Sequence, residues 1–221
     1  MHFLIGAPAE HSWGSLSQKD DMKGGKGGSS LEAIKAHGAD LVAERKARFQ
    51  RRLSTRGTRV HLERVNLMDM PEVIAVAQAS YNPKLLPLCL QTLNFHAECL
   101  RYGLNDGRTL FRLKKSSELV GVCGLHHYLW GPPTACWLSW FFVDPRYRGC
   151  WIGFSMFSAL VRAARERGFR ALFIETPSAH PEYSALKGYL DRIGFTQEAS
   201  VTDYYEEGVD LLIYRLIIQE G

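Results

Sequence analysis

The sequence predicts a mixed α/β domain: a mostly antiparallel central sheet with one splayed parallel strand pair, and helices on both faces. Three observations predict it. Short turns separate three consecutive strand-like segments between residues 109 and 143, the signature of an antiparallel meander. An apolar-striped stretch at 152–167 then separates the third segment from a compact apolar run at 171–176. Such a strand–helix–strand crossover makes the two strands parallel. Two further strand-like segments, 195–202 and 211–218, follow another helical stretch and complete the sheet.

Residues 1–30 are polar and glycine-rich, notably Lys23-Gly24-Gly25-Lys26-Gly27-Gly28. They carry too little apolar surface to offset the entropy of ordering, which predicts a flexible leader. Ser29 or Ser30 is placed to cap a basic helical extension over 31–57, which carries Arg45, Lys46, Arg48, Arg51, Arg52 and Arg56. The main domain is expected over 58–219. It opens on the alternating Val60-His61-Leu62-Glu63-Arg64-Val65, the pattern of a half-buried strand. Helices are expected over 71–80, with Pro71 in the first turn, and over 85–102, ended by Gly103 and the turn Asn105-Asp106-Gly107. Lys115-Ser116-Ser117 and Gly131-Pro132-Pro133 punctuate the strands at 109–114, 119–128 and 136–143. Gly168 closes the helix over 152–167, and Gly194 closes the one over 181–193.

The net charge of +4 belongs to the N-terminal arm. Residues 1–58 hold ten Lys/Arg against six Asp/Glu, and residues 59–221 hold seventeen of each. The main domain therefore offers no composition-level case for binding nucleic acid or a membrane. No apolar run reaches the roughly 18 residues needed to cross a bilayer, and the N-terminus lacks a basic leader. The expected compartment is the cytoplasm. Five scattered cysteines form no C-x-x-C pair or metal-ligand spacing, so neither a disulfide frame nor a metal site is expected. An exposed edge strand leaves oligomerisation open.

The chemistry concentrates in Val143-Asp144-Pro145-Arg146-Tyr147-Arg148-Gly149-Cys150-Trp151-Ile152-Gly153. A buried strand ends there in a proline turn and a short loop that opens directly into a long helix. The helix start points backbone N–H groups at whatever lies above the strand, a natural phosphate cradle. Where the parallel pair diverges, a crevice opens at the strand ends, and α/β proteins tend to bind ligands in such places. Glu175, at the end of the second parallel strand, faces that crevice.

These residues resemble the GNAT superfamily of acyl-CoA-dependent N-acyltransferases, whose motif V-x-P-x-x-[RQ]-G-x-G-x-[GA] is matched everywhere except at Trp151. The helix, the strand at 171–176 and the ending Gly194-Phe195 fall in the family's usual order. The resemblance implies acetyl-CoA as cosubstrate, with its pyrophosphate on the backbone of Arg148, Gly149, Cys150, Trp151, Ile152 and Gly153. Its pantetheine arm would lie against Phe142 and Val143, and an amine would attack the thioester directly. A small-molecule primary amine is the expected acceptor. A protein or peptide acceptor is the alternative within the enzyme class, and a catalytically silent acyl-CoA-binding module is the alternative outside it.

Two positions depart from the family pattern. Leu190 stands where many relatives carry the tyrosine that protonates the departing thiolate, and the adjacent Tyr189 is expected to face the core. Tyr204 and Tyr205 are the candidate substitutes, and both also fit a loop-shaping role. Glu175 is the candidate general base; its other reading is a partner for a basic residue or a helix N-terminus. His126 and His127 occupy consecutive strand positions, so only one of them can face a site. If Trp151 must adopt positive φ, it costs on the order of 1–2 kcal/mol; if it is helical, only its bulk matters. The aromatic run Trp130, Trp137, Trp140, Phe141 and Phe142 reads chiefly as core, with one tryptophan available to line an acceptor pocket.

Overall fold

The computed structural model describes residues 60–219 apart from 82, 84, 150 and 180–182. The expected leader, the basic extension and Cys150 lie outside the described residues. Strands β1 (Glu63–Arg64), β2 (Arg108–Lys115), β3 (Glu118–His126), β4 (Ala135–Val143), β5 (Ala171–Pro177), β6 (Thr196–Glu206) and β7 (Val209–Ile217) form one sheet. Their order is β1-β2-β3-β4-β5-β7-β6. Every neighbouring pair is antiparallel except β4 and β5.

Helices α1 (Met70–Ser80) and α2 (Leu86–Arg101) lie on one face. Each admits a proline in its first turn, where a missing N–H costs nothing. Met70, Val73, Ala77 and Ser80 recur every three or four residues, as do Cys89, Leu93, His96 and Cys99, and both stripes are buried. They close over Leu110, Leu119, Val122, Trp140 and Phe142. Helices α3 (Ile152–Glu166) and α4 (Tyr183–Ile193) cover the other face. There Met156, Leu160 and Leu190 pack with Phe141, Leu172, Ile174 and Tyr214. Gly168, at φ +82, lets its own N–H and that of Phe169 turn back to Arg165 O and Ala164 O at 2.9 and 3.1 Å, which ends α3.

The predicted architecture holds, with two differences at the sheet edges. The first strand pairs only through Glu63↔Arg112 and Arg64↔Phe111. Val60 and Leu62 pack against the core without entering a ladder. At the other edge β6 runs on to Glu206 instead of stopping near 202, because the strand resumes pairing at Glu206↔Val209 beyond a break in the register. Among the described residues no helix is long and apolar enough to cross a membrane.

Candidate active site

Strands β4 and β5 pair only at Ala135↔Ala171, Cys136↔Leu172 and Trp137↔Phe173. Beyond that point β4 stays paired with β3 as far as Val143, and β5 keeps its register with β7 as far as Pro177. The two strands therefore part while each stays anchored on its outer side, leaving a wedge. A β-bulge marks the β4 side of it: Phe141 faces Cys123 and Leu138 faces Leu125, so β4 carries one extra residue. The bulge shifts the strand's alternation. Cys136 and Leu138 point to the α3 face, whereas Trp140 and Phe142 pack under α1 and α2.

The backbone of β4 is oriented for the wedge. The Asp144 N–H donates to Val120 O at 3.0 Å on β3. By strand alternation Phe142 also faces β3, while Phe141 and Val143 turn their N–H and C=O groups away from it. Two side chains reach those carbonyls: Tyr81 Oη donates to Phe141 O at 3.3 Å, and Arg148 Nε donates to Val143 O at 3.3 Å. Tyr81 is buried against Trp140 and Phe142, and that burial pushes its phenol pKa up. Sequence reasoning missed Tyr81 as a wedge residue, since its position depends on the packing of α1 against β4.

The loop beyond β4 is pinned at its start. Asp144 accepts from the Arg146 N–H at 2.9 Å and from the Arg146 guanidinium at 2.7 Å, and Glu118 holds the same guanidinium at 2.6 Å. Arg148 turns inward. Its Nη2 donates to Ser80 O at 2.7 Å, so the guanidinium ties the loop to the end of α1. Gly149 sits at φ +77, and Trp151 caps α3 at φ +60 with no side-chain cap bond. Trp151 therefore occupies the left-handed region itself, at a cost of about 1–2 kcal/mol. The strained reading of this residue applies.

Its indole is 78% exposed and stands edge-on to Phe154 with ring centroids 6.1 Å apart. The first helical bond of α3 runs from the Ser155 N–H to Trp151 O at 3.0 Å, so the amides of Ile152 and Gly153 precede the helix's own hydrogen bonding. A Cβ on Gly153 would approach only Phe141 and Val143, at 3.8 and 3.9 Å. The space in front of the helix start is thus set by backbone.

The candidate residues Glu175, Tyr204 and Tyr205 all lie on the β5-β7-β6 side of the sheet. Between Val201↔Leu211 and Glu206↔Val209 the outer hairpin leaves Thr202, Asp203, Tyr204 and Tyr205 outside the ladder. Asp203 turns the chain at φ +53 and caps it by accepting from the Gly208 N–H at 2.7 Å. Tyr204 and Tyr205 meet edge to face with centroids 5.0 Å apart. Tyr205 has its pKa raised by burial first, then by the charge of Glu175 and by Tyr204. Tyr128 is raised by burial and by the same Glu175. One carboxylate thus acts on two phenols.

Leu190 is fully buried, and Tyr189 beside it packs on Phe157, so neither faces the wedge. His127 bonds Ala135 O through Nδ1 at 3.1 Å. His126 lies against Tyr128 with ring centroids 4.4 Å apart and planes tilted by 59°, its pKa lowered to about 4 by burial and then by Arg108. Among the described residues no group of three or more His, Cys, Asp or Glu could hold a metal ion.

The sequence profile of the acetyltransferase (GNAT) family matches residues 72–195, a span that runs from α1 through the wedge and the loop to the end of α4. The chain belongs to the acetyltransferase (GNAT) family. It is an acyltransferase. Solved structures share its fold. A protein assigned to the GNAT acetyltransferases of Desulfovibrio desulfuricans superposes with a TM-score of 0.63 at 23% identity, covering 72% of this chain and 99% of its own. The ribosomal-protein-S18-alanine N-acetyltransferase of Escherichia coli superposes at 0.53 with 17% identity, over 73% and 95% of the two chains. An aminoglycoside 6'-N-acetyltransferase solved with coenzyme A superposes at 0.54 with 14% identity, over 73% and 98%. Among curated proteins none matches this acetyltransferase by sequence.

Proposed function

We propose that this acyltransferase uses acetyl-CoA to acetylate a primary amine of a small molecule, inside the wedge between β4 and β5. The observation that carries the reading is the loss of β4–β5 pairing after Trp137 and Phe173, with the uncapped start of α3 at the same end of β4. Backbone amides at that start, reached across Gly149 and Gly153, suit a pyrophosphate, and the edge of β4 that turns away from β3 at Phe141 and Val143 suits an amide-bearing arm. Phe142, Val143 and residues 148–153 form the proposed cofactor surface. Acetyl-CoA supplies the activated acetyl group.

The chain's own residues align the reactants and manage protons. Glu175 takes one proton from the incoming ammonium, either directly or through water. The freed amine forms a C–N bond to the acetyl carbon as the C–S bond breaks. Tyr205 gives its proton to the sulfur, and the proton leaving the nitrogen restores the phenol. Partial desolvation and the charge of Glu175 raise the Tyr205 pKa and favour its protonated form, as a general acid requires, and Tyr204 orients it from the edge. The catalytic domain is assigned to residues 58–219, with 1–57 as an appended arm.

Calorimetric titration with acetyl-CoA tests the reading. Saturable binding to one site per chain is expected, and no heat at millimolar ligand would remove the proposal.

A further inference from the structure

The wedge has two flanks that differ in cover. The core cluster beneath α1 and α2 draws on β2, β3 and β4 and on nothing from β5, β6 or β7. On that open flank a run of aromatic rings leads from the wedge to solvent. Trp137 and Phe173 stack at 5.1 Å with their planes 30° apart. Tyr128 meets Trp137 edge-on at 5.9 Å, and Trp130 stacks on Tyr128 at 5.5 Å. Trp130 is 85% exposed. Neither Trp137 nor Phe173 belongs to either buried core, so the run is more than the fold needs. Contiguous exposed aromatics rimmed by polar groups mark binding surfaces.

Glu175 follows Phe173 by two positions and so shares its face of β5. Phe173 is the last residue of β5 that pairs with β4, so Glu175 lies past it, at the wedge end of the run. Aromatic faces attract flat rings and cations, and one carboxylate at one end selects a single ammonium. We propose that the acceptor is a primary ammonium carried on a flat, apolar body. The body lies along Trp137, Phe173, Tyr128 and Trp130, and the ammonium lies at Glu175. This specificity rests on the reading of the wedge as the acetyl-transfer site. A long flexible polyamine is a poorer match, because it presents no flat body to these rings.

The test compares 2-phenylethylamine, hexylamine and spermidine, by acetyl-CoA-dependent thiol release and by calorimetric binding of each amine to the full chain without acetyl-CoA. Expected is a preference of about tenfold in kcat/KM and in Kd for 2-phenylethylamine, the scale of one well-placed apolar contact. Trp130→Ala and Phe173→Leu should shrink that preference through KM. Glu175→Gln should lower kcat for every amine and weaken amine binding. Trp130 is solvent-exposed, so its variant tests the idea without threatening the fold. Equal or better use of hexylamine or spermidine, with acetyl-CoA still bound, overturns the acceptor class and leaves acetyl transfer intact. Failure to bind acetyl-CoA at all overturns both.

Discussion

Trp137 and Phe173 stack 5.1 Å apart across the last register that β4 and β5 share. The stack closes the floor of the wedge: on one side of it the strands are a sheet, and on the other they are two walls. It is also where the aromatic run begins, so the pair that ends the pairing starts the proposed acceptor surface.

Trp151 holds a left-handed backbone conformation that glycine adopts at no steric cost. Trp151→Gly should stabilise the domain by about 1 kcal/mol, the strain less the entropy a glycine adds to the unfolded chain. That corresponds to about 2–4 °C in Tm. Thermal melts measure it. A fall in Tm would show that the indole contributes more through Phe154 than its backbone costs.

Arg148 ties Ser80 O to Val143 O. Arg148→Ala should cost about 2 kcal/mol, since charged donors to buried carbonyls are worth more than neutral ones. Urea denaturation reads this. It should also weaken acetyl-CoA binding by loosening the loop. Unchanged stability with lost binding would instead assign the guanidinium to the ligand.

Tyr205→Phe should lower kcat by roughly 10²-fold, the usual scale for one general acid, and Tyr204→Phe by much less. The phenol pKa of Tyr205 is raised by burial and then by Glu175, so Tyr205 stays protonated through and beyond the ordinary phenol range near pH 10. The kcat–pH profile should therefore show no alkaline fall below about pH 10 arising from this group. Equal kcat in wild type and Tyr205→Phe would dismiss it as the acid.

His126 titrates near pH 4, lowered by burial and then by Arg108, against about 6.5 in an unfolded chain. Between those values the unfolded state binds more protons, so stability rises with pH. The contribution of His126 is complete above about pH 6.5 and is lost as pH falls toward 4. The urea midpoint should decline over that window, and His126→Gln should flatten the decline. Parallel curves for the two proteins would contradict the assignment.

Much of the local structure around the candidate site was legible in sequence. The strand, the proline turn and the helix start at Val143–Gly153 are local features, written in turn chemistry and apolar periodicity. What was hidden depends on contacts between distant segments. The β4 bulge lies opposite Gly124, where a Cβ would approach Ser139 Cβ to 3.0 Å and Leu110 Cδ2 to 2.5 Å; nothing in β4 alone announces it. Trp137 read chiefly as core because alternation says which face a residue takes, not whether a helix covers that face. The φ of Trp151 is likewise set by the loop it closes. Tyr204 and Tyr205 were named as candidates, but their place outside the ladder depends on the turn at Asp203 and on β6 running past its expected end.

The most direct measurement follows free thiol from acetyl-CoA across a panel of primary amines, with the acetylated product identified by its added mass. Thiol release that requires an amine, saturates with it, yields its N-acetyl product and collapses in Tyr205→Phe is the expected result. Tight acetyl-CoA binding with no amine-dependent thiol release from any member of the panel would contradict it, and would make the chain a binding module with a silent wedge.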